Sequence, residues 1–600
     1  MVRDDQGMPE ISRSASDSTT DLLEHIDDWM EYLSVLCKQT TDTGTRRKYE
    51  RQLKYLVRFR CGANCNIAHN LLLKHYYETA SPEPRWRAAN AAEHPANGKR
   101  RNGDNELRRA LPPSMGIEGA QPIQQCYLGD TNAYLQVAKA LASEELFFLQ
   151  GPPGTGKTTA IVEIVLQTLH HLPNARILIT SETHTAVDNA LDRLTQLLDS
   201  SLLNEVLRYP RFGATQLENA AAQSSAAHER ANALWRQAHA SAPELTEFLW
   251  QNLQRNEPNE EGRETLPRWM VRQLADKHRI IGVTCNQIDH LLDANSEPFD
   301  LVVVDECSKA TLPEWLMAVS VARKCVLVGD HRQLPPTFCE EESDVLDELD
   351  EHQATLIRDG VIERLFENLP AERKGMLQRQ YRMLPHIGEV VSELFYGGKL
   401  QHDRRDAESA FKDFGWLTYE MPGLKVPAQS FGERKVLVNA MEIELIIERL
   451  QLIHQTLVEA AEVASVQRLT VAVITPYRAQ CRELRKAIEQ INFDGRLAIE
   501  VDTVDAFQGR QADVVFFSFV RTCGPATFFA DDRRLNVALS RARDCVYLVG
   551  DLRYLRSRGI SAVNRLVRLP IRVKAKPGSG RPPIGERSVA RPNRPIQRME

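Results

Sequence analysis

Leu146-Phe-Phe-Leu-Gln150 runs straight into Gly151-Pro-Pro-Gly-Thr-Gly-Lys157-Thr158-Thr159, and Ile161, Val162, Ile164, Val165 and Leu169 recur at helical spacing behind it. An apolar run of five followed by glycines reads as a buried strand ending in a turn, and the 3–4 spacing beyond it reads as a helix. Strand, glycine-rich loop and helix in that order form a phosphate cradle. Across Gly151, Pro152, Pro153, Gly154, Thr155 and Gly156, the glycines let backbone N–H groups approach phosphate oxygens. The helix N-terminus adds partial positive charge. Lys157 then reaches the outer phosphates, Thr158 supplies a hydroxyl to Mg²⁺, and Thr159 completes the loop, so the expected ligands are a nucleoside triphosphate and Mg²⁺.

Two further strand ends lie downstream. Leu301-Val-Val-Val-Asp305-Glu306 places adjacent carboxylates after four apolar residues. Asp305 suits the metal, and Glu306 suits a general base that polarises the attacking water. Val326-Leu-Val-Gly-Asp330-His331-Arg332-Gln333-Leu-Pro-Pro336 repeats the pattern, with Gln333 long enough to sense a terminal phosphate. Parallel α/β sheets carry their ligands at the carboxyl ends of strands, so these three segments predict one site.

Arginines recur later in patterned, apolar-flanked settings. Gln380-Tyr381-Arg382-Met-Leu-Pro385 precedes an apparent helix, and Arg533-Arg-Leu-Asn-Val-Ala-Leu-Ser-Arg541-Ala-Arg543 precedes the strand Val546–Val549. Phosphoryl transfer spreads charge over equatorial oxygens, and arginines stabilise it, so Arg382 and Arg541 are the candidates and Tyr381 could stack on the base.

Taken in order, Gly151–Thr158, Asp305–Glu306, Gly329–Pro336, Gln380–Pro385, Val504–Gly509 and Arg533–Arg543 resemble the motif set of superfamily 1 helicases. The resemblance is to the group containing the nonsense-mediated-decay helicase and senataxin, with bacterial relatives, and it covers about 126–555. It implies two RecA-like lobes hydrolysing ATP and translocation along single-stranded nucleic acid, 5′ to 3′. It gives ATP and Mg²⁺ handling to Lys157, Thr158, Asp305, Glu306, Gln333, Arg382 and Arg541, and adenine packing to Tyr381. It gives strand contacts to Thr180, Thr183, Thr185 and Thr284 in the first lobe, and to Thr475, Pro476, Tyr477 and Thr503 in the second. The adenine-reading glutamine of the family is Asn132 here, with Gln136 one helical turn on as a weaker substitute. The glutamate after "FQGR" is Gln511, which weakens a ribose contact. An ATPase that remodels RNA–protein complexes without unwinding is the alternative.

The rest of the chain frames this. Its 600 residues are 42% hydrophobic and 26% charged, which fits two or three globular domains. No apolar run approaches the ~20 residues of a membrane span. Eleven cysteines scattered through the chain suggest a reducing cytoplasm, or a nucleus in a eukaryote, rather than disulfides. A monomer is expected.

The fold expectation is α/β with parallel sheets. Strands are expected at 146–150, 176–180, 280–284, 300–304 and 324–328, then near 435–438, 470–474, 513–518 and 545–549. The predicted organisation is a helical region 1–80, a Pro/Asn/Gly-rich linker 81–125, lobe 1 at 126–345, lobe 2 at 346–570 and a disordered basic tail 571–600. Lobe 1 would carry a helical insertion at about 214–275. Leu22, Leu23, Ile26, Trp29, Met30 and Leu33 make one apolar stripe in the first region. Cys61, Cys65 and His69 have metal-like spacing, but only Cys37 and His75 are loose candidates for a fourth ligand, which favours free side chains. Net charge is −6, yet residues 571–600 hold eight Arg/Lys and two Glu. The helicase resemblance implies a strand channel built largely from threonines and backbone groups with local arginines, which an acidic body does not forbid, with the tail as a possible electrostatic tether.

Overall fold

The computed structural model describes residues 16–60 and 130–575, the latter with interruptions, chiefly 210–222, 245–267, 289–297, 406–411, 420–427 and 462–467. The expected linker, Cys61, Cys65 and His69 lie outside the described residues, as does most of the tail and much of the insertion. Two compact units divide the chain, Met1–Arg379 and Gln380–Glu600.

The first unit is built on seven strands: β1 Leu146–Gln150, β2 Ile177–Ser181, β3 Val206–Arg208, β4 Ile280–Thr284, β5 Leu301–Asp305, β6 Cys325–Gly329 and β7 Lys374–Met376. They form one sheet in the order β3-β4-β2-β5-β6-β1-β7, with parallel pairings throughout. Strands β1, β2, β4, β5 and β6 are buried along their whole length, as expected for a sheet covered on both faces. Successive side chains feed opposite cores: Phe147 and Leu149 enter one, Leu146 and Phe148 the other. The helix Lys157–His171 lies on the first of these faces with Ile161, Val162, Ile164 and Val165 fully buried. Each such side chain contributes about 1.5–3 kcal/mol of burial. The other face is covered by Leu312–Ser320 and by an N-terminal helical pair, Ser16–Gln39 and Thr43–Arg60. Ile26, Trp29 and Leu33 of the expected stripe are buried in that core.

Register fixes the chemistry. Gln150 pairs with Gly329, and Ser181 pairs with both Thr284 and Asp305. Five strand ends therefore finish on one edge of the sheet.

The second unit has strands β8 Arg379–Gln380, beginning one residue ahead of it, β9 Gln401–His402, β10 Asp413–Tyr419, β11 Ala428–Phe431, β12 Arg434–Leu437, β13 Leu469–Thr475, β14 Leu497–Thr503, β15 Ala512–Ser518, β16 Ala542–Gly550 and β17 Ile571–Ala575. Six of them form a parallel sheet, β14-β13-β15-β16-β10-β17.

Three boundaries differ from the sequence reading. The first unit runs on to Arg379 rather than stopping at residue 345, because β7 pairs with β1 (Leu149 opposite Gly375). The strand expected near 435–438 exists as β12, but it forms an antiparallel hairpin with β11 outside the main sheet. The tail expected to be disordered from residue 571 opens with β17, which pairs with β10 and brings Arg572 Nε to 2.8 Å from Asp413 Oδ1. Alternating Ile571 and Val573 with charged residues gives a strand with one wettable side.

Candidate ATP site and strand-holding segments

At the carboxyl edge of the first sheet the loop after β1 is held open by its own backbone. Gly154 and Gly156 have φ of +74° and +83°, a conformation that glycine adopts without strain. A Cβ on Gly151 would sit 2.1 Å from Lys157 Cγ. Gly151 N–H donates to Gly329 O at 2.9 Å, tying the loop to the end of β6. The Thr155 hydroxyl donates to Pro152 O at 2.7 Å and closes the turn.

Lys157 Nζ lies 3.5 Å from Glu306 Oε1 and donates to Gly151 O at 3.2 Å. Its side chain is 15% exposed and that of Glu306 is 22%, so the pair is sheltered yet reachable. Asp305 is buried, and Glu306 N–H donates to its Oδ1 at 2.8 Å. Burial, with Glu306 next door, holds the Asp305 carboxyl well above the usual carboxylate range. Glu306 has φ +50°, an uncommon conformation for a residue with a side chain. Strained backbone of this kind gathers at functional sites.

Behind the loop, Gln150 Nε2 donates to Asp330 Oδ1 at 3.2 Å and Gln333 Nε2 to Asp330 Oδ2 at 2.8 Å. Asp330 is fully buried, so the three form a fixed chain running from strand end to strand end. The buried Asp305 carboxyl and the partly exposed Thr158 supply oxygen donors of the kind that Mg²⁺ takes. Glycine spacing and Lys157 match a nucleotide triphosphate. Asn132 departs from the adenine-reading expectation: its Oδ1 accepts Gln378 N–H at 3.1 Å, leaving its amide N–H groups for a base. Gln136 is buried, with its side-chain amide packed against Gly375.

In the second unit the structure brings Arg382 and Arg541 together. One Arg382 Nη donates to Ser540 O at 3.1 Å, and one Arg541 Nη to Ser540 Oγ at 3.2 Å. Arg541 is buried and Arg382 partly so, while Tyr381 is exposed. Gln511 is exposed at the start of β15.

The expected strand contacts divide by accessibility. Thr183 caps the helix His184–Thr195, and Thr185 is exposed on it. Pro476, Tyr477 and Thr503 are partly exposed at the ends of β13 and β14, where Thr475 pairs with Thr503. Three side chains face inward instead. The Thr180 hydroxyl donates to Cys285 Sγ, that of Thr284 donates to Gln287 Oε1, and Thr475 is fully buried. Side chains alternate across a strand, so a hydroxyl on the last residues of β2, β4 or β13 can point into the core; these three offer a strand backbone atoms at most.

Two sets of residues escaped the sequence reading. Arg208, at the end of β3, is fully buried with its Nε 2.5 Å from Asp188 Oδ1 and one Nη 3.0 Å from His184 Nδ1. It anchors the helix that carries Thr183 and Thr185. Glu442 is also fully buried, accepting from Ser518 Oγ at 2.6 Å, Tyr419 OH at 2.9 Å and Val520 N–H at 2.9 Å. Val520 has φ +66°, an outlier for a β-branched residue. The next residue, Arg521, donates to Tyr477 OH at 2.5 Å. Glu442 thus positions the loop that holds Tyr477. The available signal was a lone acid on an otherwise apolar helical face, beside Leu445 and Ile446.

Family models described as AAA domains match residues 358–553 and residues 130–242 and 231–341. The chain is 29% identical over 466 residues to an uncharacterized ATP-dependent helicase of Methanocaldococcus jannaschii, covering 70% of this chain and 67% of that protein. It is 30% identical to the DNA-binding protein SMUBP-2 of Mesocricetus auratus over 70% of this chain and 42% of that one. It is 28% identical to the DNA replication ATP-dependent helicase/nuclease DNA2 of Mus musculus over 70% of this chain and 36% of that one. The chain therefore spans well under half of the two mammalian relatives. Among solved structures, arterivirus nonstructural protein 10 (helicase) with DNA has a TM-score of 0.33 at 12% identity, over 72% of this chain and 65% of that one, a likeness too slight to carry weight.

Proposed function

The chain belongs to the superfamily 1 helicases, ATP-hydrolysing enzymes, in the group that contains the nonsense-mediated-decay helicase, and on that premise we propose that it is an ATP-driven helicase or translocase moving 5′ to 3′ on single strands of DNA or RNA. The observation that carries the reading is the cluster at the carboxyl edge of the first sheet, where Lys157 lies 3.5 Å from Glu306 beside a buried Asp305.

In this reading the loop Gly151–Thr159 binds the triphosphate of ATP through its backbone, and Lys157 leaves Glu306 to contact the outer phosphates. Glu306, released from the lysine, accepts a proton from the attacking water. Gln333, held by Asp330, reports the state of the terminal phosphate. Arg382 and Arg541 offset the charge that develops during transfer. Thr158 and Asp305 would hold Mg²⁺, which supplies charge neutralisation on the phosphate oxygens. Tyr381 packs on the base, with Asn132 and Gln511 as polar contacts to the nucleoside. Thr183, Thr185, Pro476, Tyr477 and Thr503 hold the backbone of the strand, a mode that carries no sequence information.

The test is ATP hydrolysis with and without oligothymidine or oligouridine, followed by displacement on duplexes with 5′ or 3′ tails. Stimulation by single strands and displacement from the 5′ tail are expected. Equal hydrolysis rates with and without strand would sink the proposal.

A further inference from the structure

The N-terminal helical pair lies outside every motif used above. It is nonetheless fastened by specific contacts to the first unit. Tyr32 OH donates to Glu342 O at 3.0 Å and Tyr49 OH to Glu342 Oε1 at 2.8 Å. The Trp29 and Tyr32 rings lie 6.3 and 6.4 Å from that of Phe338. Gln52 Nε2 donates to Asn286 Oδ1 at 3.1 Å, and Asn286 Nδ2 donates to Glu314 Oε1 at 2.6 Å.

These contacts place the second helix, Thr43–Arg60, beside the strand-holding segments. Asn286 sits in the turn that follows Thr284 directly. Lys48, Tyr49 and Gln52 line one cleft with Glu182, Lys309 and Glu314. Glu182 immediately precedes Thr183 in sequence.

The helix has two faces of opposite character. Tyr49, Gln52 and Leu56, at i, i+3 and i+7, are buried against the lobe. Arg47, Arg51 and Lys54, at i, i+4 and i+7, fall on the opposite side, with Arg47 and Lys54 exposed and Arg51 partly so. Lys48 stands on the flank, at the cleft. The helix TGTRRKYERQLKYLVRFR carries seven Arg/Lys and one Glu, and that Glu50 is engaged by Arg46 at 3.0 Å. Such a concentration is conspicuous in a chain of net charge −6. The cleft itself is different, because Glu182, Glu314 and Glu342 there outnumber Lys48 and Lys309, so it offers a phosphodiester no net positive charge. A strand leaving Thr183–Thr185 would therefore run over the basic face rather than into the cleft.

We propose that the helix Thr43–Arg60 is a second nucleic-acid contact of the first lobe, its Arg47, Arg51 and Lys54 face with Lys48 at the edge engaging phosphates of the strand held by Thr183 and Thr185. Charge complementarity and continuity with those segments carry the assignment, and it rests on the helicase reading. Contacts of this kind add affinity without sequence preference and release counterions.

The experiment uses the full chain and an Arg47→Gln/Arg51→Gln/Lys54→Gln variant, whose glutamines keep helix propensity. Binding to fluorescent oligothymidine and oligouridine is titrated across a potassium chloride series. Each single-strand phosphate contact contributes about 0.7 to the slope of log affinity against log salt, so losing three should flatten it by about 2. Hydrolysis without strand should be unchanged. An Arg47→Lys/Arg51→Lys variant, which keeps the charges, should keep the slope. An unchanged slope in the glutamine variant, with wild type binding and stimulated, overturns this inference alone. A lysine variant that loses the slope also overturns it, because the effect would then be structural. Wild type that binds neither oligomer would remove the helicase reading, and this inference with it.

Discussion

The two units carry their charged groups in different ways. In the first, Lys157 and Glu306 sit sheltered but reachable at the sheet edge, each placed by a short motif of its own although the two motifs lie far apart in the chain. Phosphate recognition needs consecutive backbone N–H groups, so the chemistry is confined to one loop and two strand ends. In the second, Glu442 and Arg541 are buried, and some side chains tie together segments distant in the chain: Arg382 meets Ser540 across 158 residues and Glu442 meets Val520 across 78. The first unit leaves its Lys157–Glu306 pair reachable, whereas the second ties its buried charged groups into loops. Substitutions in the first should therefore cost turnover, and substitutions at buried sites should cost structure.

The largest effect is expected at the phosphate cradle. Lys157→Ala should cut hydrolysis by at least about a hundredfold, since it removes a preorganised charge from the phosphates. Glu306→Gln should lose about 10²–10⁴ in turnover while keeping nucleotide affinity, because it removes the base and not the cradle. Both should melt near wild type. Full turnover in Glu306→Gln, read by phosphate release, would overturn its role as base.

Next comes Arg208, which tests whether buried charge is structural in the first unit too. Arg208→Met strands Asp188 in the core and should cost about 3–5 kcal/mol in urea melts. Pairing it with Asp188→Leu should recover most of that loss, because the uncompensated charge is gone. A double variant as unstable as the single would mean that the arginine's other contacts, to His184 and Tyr209, carry the effect.

Glu442 gives a pH signature. Burial pushes its carboxyl up to about 7, against an ordinary value near 4.5. The folded state then holds a proton that the unfolded state releases between those values. Its contribution is complete below about pH 4.5 and falls away as pH rises toward 7, by on the order of 3 kcal/mol for a shift of that size. Glu442→Gln should flatten that part of the stability profile and lower stability at pH 5 by about 1–3 kcal/mol, through donors left without an acceptor. A pH profile identical to wild type would contradict the buried-acid assignment.

What the sequence disclosed follows the same division. β1, β2, β4, β5 and β6 were legible because a strand covered on both faces is a largely apolar run, here ending in Gln150, Ser181, Thr284, Asp305 and Gly329. β3 escaped because it is three residues long and ends in Arg208, an ordinarily exposed type made buriable by Asp188. Lys374-Gly-Met376 reads as a turn, and only its pairing with β1 makes it a strand. β10 and β14 carry Asp413, Gly415, Glu500 and Asp502, which mask their periodicity. In the site, Lys157, Asp305, Glu306 and Gln333 were readable from motif and strand end. Thr180, Thr284 and Thr475 lie in the segments expected to hold a strand, but their hydroxyls face the core, and pleat direction is invisible without register.

The smallest effect is expected at the edge of the second sheet. Arg572 and Asp413 form an ion pair at 2.8 Å whose arginine side chain is 44% exposed. Exposed pairs contribute about 0–1 kcal/mol, so Arg572→Gln should shift the denaturation midpoint barely at all, in contrast with Arg208→Met. The strand that carries it matters more. Truncation after Ala575 keeps β17 and should leave stability within about 0.5 kcal/mol, while any flattening of the salt dependence of strand binding would then belong to the basic residues beyond it. Truncation after Pro570 removes β17, leaves β10 as an edge strand paired to β16 alone, and should destabilise the second unit measurably. Equal stability of the two truncations would mean that the β10–β17 pairing adds nothing, and the second unit would then end, energetically, at β16 and the two short helices Leu552–Arg556 and Ser561–Leu566.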